Sequence, residues 1–179
     1  MPTPSTTSPA DRPDEAARRS HLRVAAYVGD RGWGETGMAT GGLLAGLDER
    51  GHAVRRYCAD RDVKGRVSAR GIRARRQPLG SLAVRHAFRF AAELRLREPD
   101  ALILTSMRTA WPGGLAASRA SVPRVVAWVG VESDVPRGRA SRYALRTWID
   151  TAVFPTDAIR QRFLDAVPGY SGEAITIPP

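Results

Sequence analysis

The feature that most limits the fold is a series of short, largely apolar runs, each followed by a helix-like segment. LRVAAYVG (22–29), HAVRRYC (52–58), DALILTS (100–106), VPRVVAWVGV (122–131), TAVFPT (151–156) and EAITIPP (173–179) read as strands, and GIRARR (71–76) as a further short one. Segments 35–50, 81–98, 111–121, 139–150 and 157–167 carry helical patterns, with Gly51 placed as a C-cap and Pro99 closing the second helix. Strands that do not alternate apolar with polar residues belong in a parallel sheet covered on both faces. Strand–helix alternation then means βαβ units with right-handed crossovers. The predicted fold is a doubly wound α/β domain with a mostly parallel sheet of about six or seven strands. In such sheets ligands bind beyond the carboxyl ends of the strands. That rule selects the loop 29–37, Ser106 to Arg108, Gly130 to Asp134, and Thr156 with Asp157.

The chain has 179 residues, 42% of them hydrophobic, which is enough for one domain with a buried core. That domain is expected over residues 21–179. Residues 1–20, rich in Pro, Ser and Thr and without an apolar stretch, read as a disordered tail and not as a signal peptide. No run approaches the length of a membrane span. Cys58 is the single cysteine, so no intramolecular disulfide can form, which suits a cytoplasmic protein. It ends a predicted strand with no histidine nearby to activate it, and reads as buried filler. The formal net charge is +10, and of 28 basic residues only Lys64 is a lysine. Such an excess attracts phosphates, on nucleotides, lipids or nucleic acids, unless it is simply a solvated surface. No nucleic-acid-binding module is recognisable, so nucleic acid is not an expected partner. No His, Cys, Asp or Glu cluster has metal-ligand spacing, and no metal is expected.

Gly32-Trp33-Gly34-Glu35-Thr36-Gly37 matches G-x-G-x-x-G, the fingerprint of dinucleotide-binding loops. The spacing argues against that use. The fingerprint starts almost at the strand end, whereas Gly29-Asp30-Arg31 intervene here. The acidic residue that should hold a ribose hydroxyl, Asp60, comes about one helical turn too late. A phosphate-binding P-loop is excluded because no Lys-Ser/Thr follows the glycines. Gly41, Gly42 and Gly46 are expected to let the helix approach the sheet. Gly32 and Gly34, in the loop itself, are expected to bring backbone close to a ligand.

Five phrases in order then carry a family resemblance: LLAGLDERGHAV (43–54), REPDALILTS (97–106), SVPRVVAWVGVESD (121–134), IDTAVFPTDAIRQRFL (149–164) and AITIPP (174–179). The chain resembles the N-terminal domain of a GT-B glycosyltransferase of the retaining family 4 type, over residues 22–179. The resemblance implies a Rossmann-like acceptor-side domain of a transferase, hexosyltransferase in type, that uses a nucleotide-diphosphate sugar as donor and needs no metal. It implies that Gly32, Gly34, Glu35, Thr36 and Gly37 face the sugar or diphosphate, and the carboxyl-end rule adds Ser106, Arg108 and Thr156 as candidate substrate-binding residues. It also implies a C-terminal donor domain, in cis or in trans, without which these residues should not turn over. Two family features are missing. The histidine of the fifth-strand motif gives way to Val129-Gly130-Val131-Glu132-Ser133-Asp134, and the histidines after the fourth strand give way to Leu104-Thr105-Ser106.

Glu132 and Asp134 either act on an acceptor hydroxyl, as orienting group or base, or cap the turn before Pro136. Arg108 either meets a phosphate or is solvated. Trp111 either stacks on a sugar or wedges its segment against the core. His52 is assigned to the helix-to-strand turn and His86 to a solvated helix position, while His21 lies in or beside the tail. Family members also meet anionic membranes through basic surfaces of this domain, which makes the run Arg61 to Arg76 a candidate lipid-facing loop at the inner membrane face. For the helix 81–97, Phe88, Phe90, Leu82 and Leu94 are expected to face the sheet while the arginines face water. Two other readings remain: a non-catalytic Rossmann-like module for a phosphorylated or sugar ligand, and an NAD-type oxidoreductase fragment.

Overall fold

A computed structural model describes residues 21–29, 35–61, 64–65, 74–78, 83–136 and 138–178. Among these, seven strands alternate with five helices. In chain order they are β1 (Arg23–Val28), α1 (Glu35–Glu49), β2 (Ala53–Cys58), β3 (Ala74–Arg76), α2 (Ala83–Arg97), β4 (Ala101–Leu104), α3 (Met107–Ala120), β5 (Val125–Trp128), α4 (Arg139–Trp148), β6 (Thr151–Phe154), α5 (Asp157–Ala166) and β7 (Glu173–Thr176). Every strand pair is parallel, in the order β3-β2-β1-β4-β5-β6-β7. The predicted doubly wound parallel fold is therefore correct, with the order reversing between β1 and β4.

Register decides which side chains share a face. Tyr27 pairs with Tyr57 and Leu104, Leu104 with Ala127, and Ala127 with Ala152, so these residues line one side of the sheet. There they form one core with Phe90 and Leu94 of α2, Ala116 and Ala117 of α3, Leu145 of α4 and Phe163 of α5. Tyr27 and Tyr57 each meet Phe90 with ring centroids 4.9 Å apart, a tilted and edge-on arrangement that aromatic quadrupoles favour. The opposite face holds Val24, Ala26 and Val28 under α1, where Leu44 and Thr40 are buried. Arg56 also lies there, its guanidinium bonded to Asp48 and to the Leu44 carbonyl. Further along that face, Ile103, Val126, Trp128 and Ile175 are only half-buried.

The termini follow local chemistry. Ser106 caps α3 by accepting from the Arg108 amide at 3.3 Å, so this helix begins four residues before Trp111, where the sequence pattern places it. Gly51 takes a φ of +82°, the left-handed cap expected of it. His52 accepts from the Leu22 amide at 3.1 Å, a structural role as predicted. On α2, Phe90 and Leu94 face the core as expected, but Phe88 does not: it is 47% exposed, with the Arg119 guanidinium over its ring.

The helical glycines contradict the packing reading at two positions. A Cβ on Gly42 would meet nothing within 4 Å, and one on Gly46 would meet only the flexible Arg50 guanidinium. Close approach occurs instead on α3, where a Cβ on Gly113 would come to 2.5 Å from Leu104 Cδ2 and one on Gly114 to 2.9 Å from Trp148. Gly42→Ala should therefore stabilise the protein by about 0.5–1 kcal/mol through helix propensity. Gly113→Ala should cost about 1–3 kcal/mol through overpacking. Urea unfolding of the two variants checks both signs.

Candidate functional site at the carboxyl ends of the strands

Where the strand order reverses, the end of β1 meets the start of α3. Gly29 is buried there and packs so closely that an added Cβ would overlap Thr109 Cγ2 and lie 3.2 Å from Ser106 Cβ. Thr109 is held by its hydroxyl on the Ser106 carbonyl at 2.6 Å. Arg108 donates from Nη1 to the Gly29 carbonyl at 3.2 Å, so it is anchored across the switch point while its side chain stays exposed to solvent. Its charge also reaches Tyr27, whose phenol is nevertheless pushed far up by burial and donates to the Gln77 carbonyl. A phenol that stays neutral keeps its proton for the Gln77 carbonyl and does not act as a base.

Glu35, Thr36 and Gly37 form the first turn of α1, which starts at the same end of the sheet; Gly32 and Gly34 lie outside the described residues. The structure thus brings Gly29, Ser106 and Arg108 together, beside strand ends from which α1 and α3 both begin. Unpaired amides of a helical first turn carry partial positive charge. Thr156 stands apart, over β6, and serves as the N-cap of α5 by accepting from the Ile159 amide at 3.4 Å. Asp157 beside it accepts from the Thr176 hydroxyl at 2.7 Å and from Arg160 at 2.9 Å, and these bonds hold its carboxyl below the usual range.

The end of β5 carries the acidic candidates on a single helical turn, Glu132–Asp134. They have different surroundings. Glu132 is exposed and paired with Arg162 of α5. Asp134 is half-buried, its Oδ2 hidden without a partner, and burial raises its carboxyl while the Val131 and Gly130 amides pull the other way. Below them Trp128 Nε1 is likewise buried and unpaired. Neither burial is visible in the string WVGVESD, since both follow from what packs around the turn. Trp111, assigned to a sugar or a wedge, sits in α3 edge-on to Trp148 with centroids 6.3 Å apart. Cys58 is fully buried and its thiol is pushed up to about 11, which fits filler and not a nucleophile. Among the described residues no three His, Cys, Asp or Glu side chains gather as a metal site requires, and no helix is long and apolar enough to cross a membrane.

Residues 34–178 match the glycosyl transferase 4-like domain. The chain belongs to that family. No curated protein matches it, but solved structures do. A glycosyltransferase from Rickettsia africae aligns at 14% identity with a TM-score of 0.70, covering 88% of this chain and 43% of that one. HepE of Anabaena, solved in complex with UDP and glucose, aligns at 13% identity and a TM-score of 0.68, over 88% of this chain and 44% of its own. Acinetobacter baumannii MurG aligns at 13% and 0.59, over 86% and 45%. At these identities the likeness is one of fold, and the fold is that of the GT-B neighbours. The chain spans less than half the length of each.

The burial of Asp134 has a pH signature. Its folded-state pKa is raised, so between the ordinary carboxylate range and that higher value the folded state binds more protons than the unfolded state. Stability contributed by the neutral form is then lost as pH rises through this window. Asp134→Asn should raise the melting temperature at pH 7, and the difference from wild type should close as pH falls below the ordinary carboxylate range. Thermal melts at stepped pH test it.

Proposed function

We propose that this chain forms the acceptor-side half of a glycosyltransferase that moves a sugar from a nucleotide-diphosphate donor to an acceptor. The observation that carries the reading is the family match across residues 34–178. It is supported by the placement of Ser106 and Arg108 at the topological switch, where α/β sheets take their ligands. In this reading the donor is held by a C-terminal domain and closes onto the carboxyl ends of β1, β4 and β5. The loop bearing Gly32 and Gly34, with Glu35, Thr36 and Gly37 at the start of α1, approaches the transferred sugar and diphosphate. Developing negative charge on the departing diphosphate is met by the first-turn amides of α1 and by Arg108. Asp134 is the better of the two candidate bases, because a raised pKa brings a carboxyl nearer the range of proton transfer at neutral pH, and Glu132 is already committed to Arg162. The half-buried Ile103, Val126, Trp128 and Ile175 form a surface that a further segment of a longer chain would cover.

Alone, the chain should not catalyse transfer. Supplied with a GT-B donor domain, in one polypeptide or in trans, it should transfer sugar from UDP- or GDP-sugars to an acceptor, and Asp134→Asn should lower kcat by about 10²–10⁴-fold. Product formation by mass spectrometry is the readout. Tight NADH binding, with no response to any sugar nucleotide in the completed protein, would overturn the reading in favour of the oxidoreductase.

The finer reading adds an anionic membrane surface at the inner face. Of the run Arg61 to Arg76, the described part includes Arg75, which pairs with Glu93 at 2.6 Å, and Arg76 beside it. On the adjoining α2, Val84, Phe88 and Leu96 are 51%, 47% and 72% exposed, spaced in steps of four and eight, with Arg85 and Arg89 exposed alongside. An apolar stripe flanked by arginines matches a lipid headgroup boundary in both polarity and charge. Co-sedimentation with phosphatidylglycerol vesicles should fall about tenfold in Phe88→Ser/Leu96→Ser and disappear at high salt. Unchanged sedimentation would remove this surface from the proposal.

A further inference from the structure

A cavity of about 300 Å³ lies between the turn after β5, α4 and α5, lined by Glu132, Val135, Pro136, Arg142, Arg162 and Ala166. Its charged groups are unevenly satisfied. Arg162 donates from Nη1 to Glu132, and both side chains are more than half exposed, at 60% and 59%. An exposed pair of this kind contributes little in water and yields readily to a better partner. Arg142 is different. It is half-buried, its Nε is shielded from solvent and has no acceptor, and among the described residues no hydrogen bond or ion pair forms on its side chain. Leaving a buried guanidinium N–H unpaired is costly. Arg56, the other arginine with a buried and unpaired Nε, differs in that its Nη2 is anchored on Asp48 and the Leu44 carbonyl. Arg142 has no such anchor, yet it borders an open cavity.

The remaining walls, Val135, Pro136 and Ala166, are apolar, which lowers the local dielectric and strengthens a charge–charge contact made there. Two guanidinium groups against one carboxylate leave the cavity net positive. The planar fork of arginine fits a phosphate or carboxylate edge with two parallel hydrogen bonds. We propose that this cavity is an oxyanion site, Arg142 being the principal ligand and Arg162 the second, with Glu132 acting as an internal competitor for Arg162. Because Glu132 belongs both to the cavity wall and to the turn that carries Asp134, an anion bound here would hold the molecule bearing it beside the end of β5. Its assignment to the acceptor, as a phosphorylated or carboxylated sugar or glycoside, rests on the transferase reading. The anion binding itself does not.

The test titrates the intact chain with inorganic phosphate and, in a separate arm, with acetate, following the arginine Nε–H resonances by NMR. Arg142 Nε–H should shift on binding. Arg142→Gln should weaken binding about tenfold, the scale of one lost charge-assisted contact, and Arg142→Lys, which keeps the charge without the fork, should fall between. Arg139→Gln removes the same charge from an exposed position on the same helix and should leave affinity unchanged. Glu132→Gln should tighten binding several-fold by releasing Arg162, a gain that loss of folding cannot imitate. A stronger response to phosphate identifies a phosphorylated ligand, and a response to acetate alone a carboxylated one. No saturable response to either ion, equal losses in the Arg142 and Arg139 variants, or unchanged affinity in Glu132→Gln would each overturn the site. Anion binding with these signatures in a protein that, once completed, ignores sugar nucleotides would sink the transferase reading and leave the site standing.

Discussion

The arrangement at the carboxyl ends of β1 and β4 depends on how closely β1 approaches the first turn of α3. Gly29 leaves no room for a side chain against Thr109 and Ser106, and Arg108 bonds back to the Gly29 carbonyl. A parallel sheet whose strand order reverses has no continuous helix layer over the reversal, so a crevice opens there. The contact packs β1 against α3 at the position where such a crevice has its base. It fixes where α3 starts, which in turn sets the position of Gly113 against Leu104 and of Gly114 against Trp148. A side chain at Gly29 would displace the helix that organises most of the core on that face.

The basic excess resolves into arginines with distinct tasks. Arg56 is internal, and Arg95 spends its guanidinium on the Arg119 carbonyl. Arg75 and Arg97 share Glu93. These charges are consumed within the fold, so net charge overstates what the surface offers to phosphate. Among the described residues Arg55, Arg124 and Arg139 stay exposed at scattered positions, while two places concentrate what is left: the flank of α2 around Phe88, and Arg142 with its unpaired Nε. Guanidinium serves both uses because it is weakly hydrated and offers several donors in one plane.

Much of the architecture could be read in the sequence because apolar runs and glycine or proline punctuation act locally. RVAAYV, ALIL, VVAW and TAVF could only be buried strands, and Gly51 announced the end of α1. The five phrases that resemble a family 4 transferase held over the span that the family match covers. The site was legible only as a set of positions. Ser106, Arg108, Glu132, Asp134 and Thr156 all lie at carboxyl ends as the topology requires, but their environments diverge. Thr156 is a cap, Glu132 is paired with an arginine 30 residues away, and Asp134 is half-buried. Gly42 and Gly46, whose helical positions suggest close packing, face open space or a flexible side chain, while Gly29, Gly113 and Gly114 make the close approaches.

The sequence by itself determined strand and helix identity, the parallel class of the sheet and which loops follow the carboxyl ends of its strands, since periodicity and chain punctuation are short-range properties. Only the tertiary structure decided which charges were spent and which were left. Partners such as Arg108 and Gly29, or Arg162 and Glu132, are distant in the chain and meet only when the sheet is assembled. Burial, which separates Asp134 from Glu132 and leaves Arg142 without an acceptor, is a property of everything packed around a residue and is written in no single stretch of the chain.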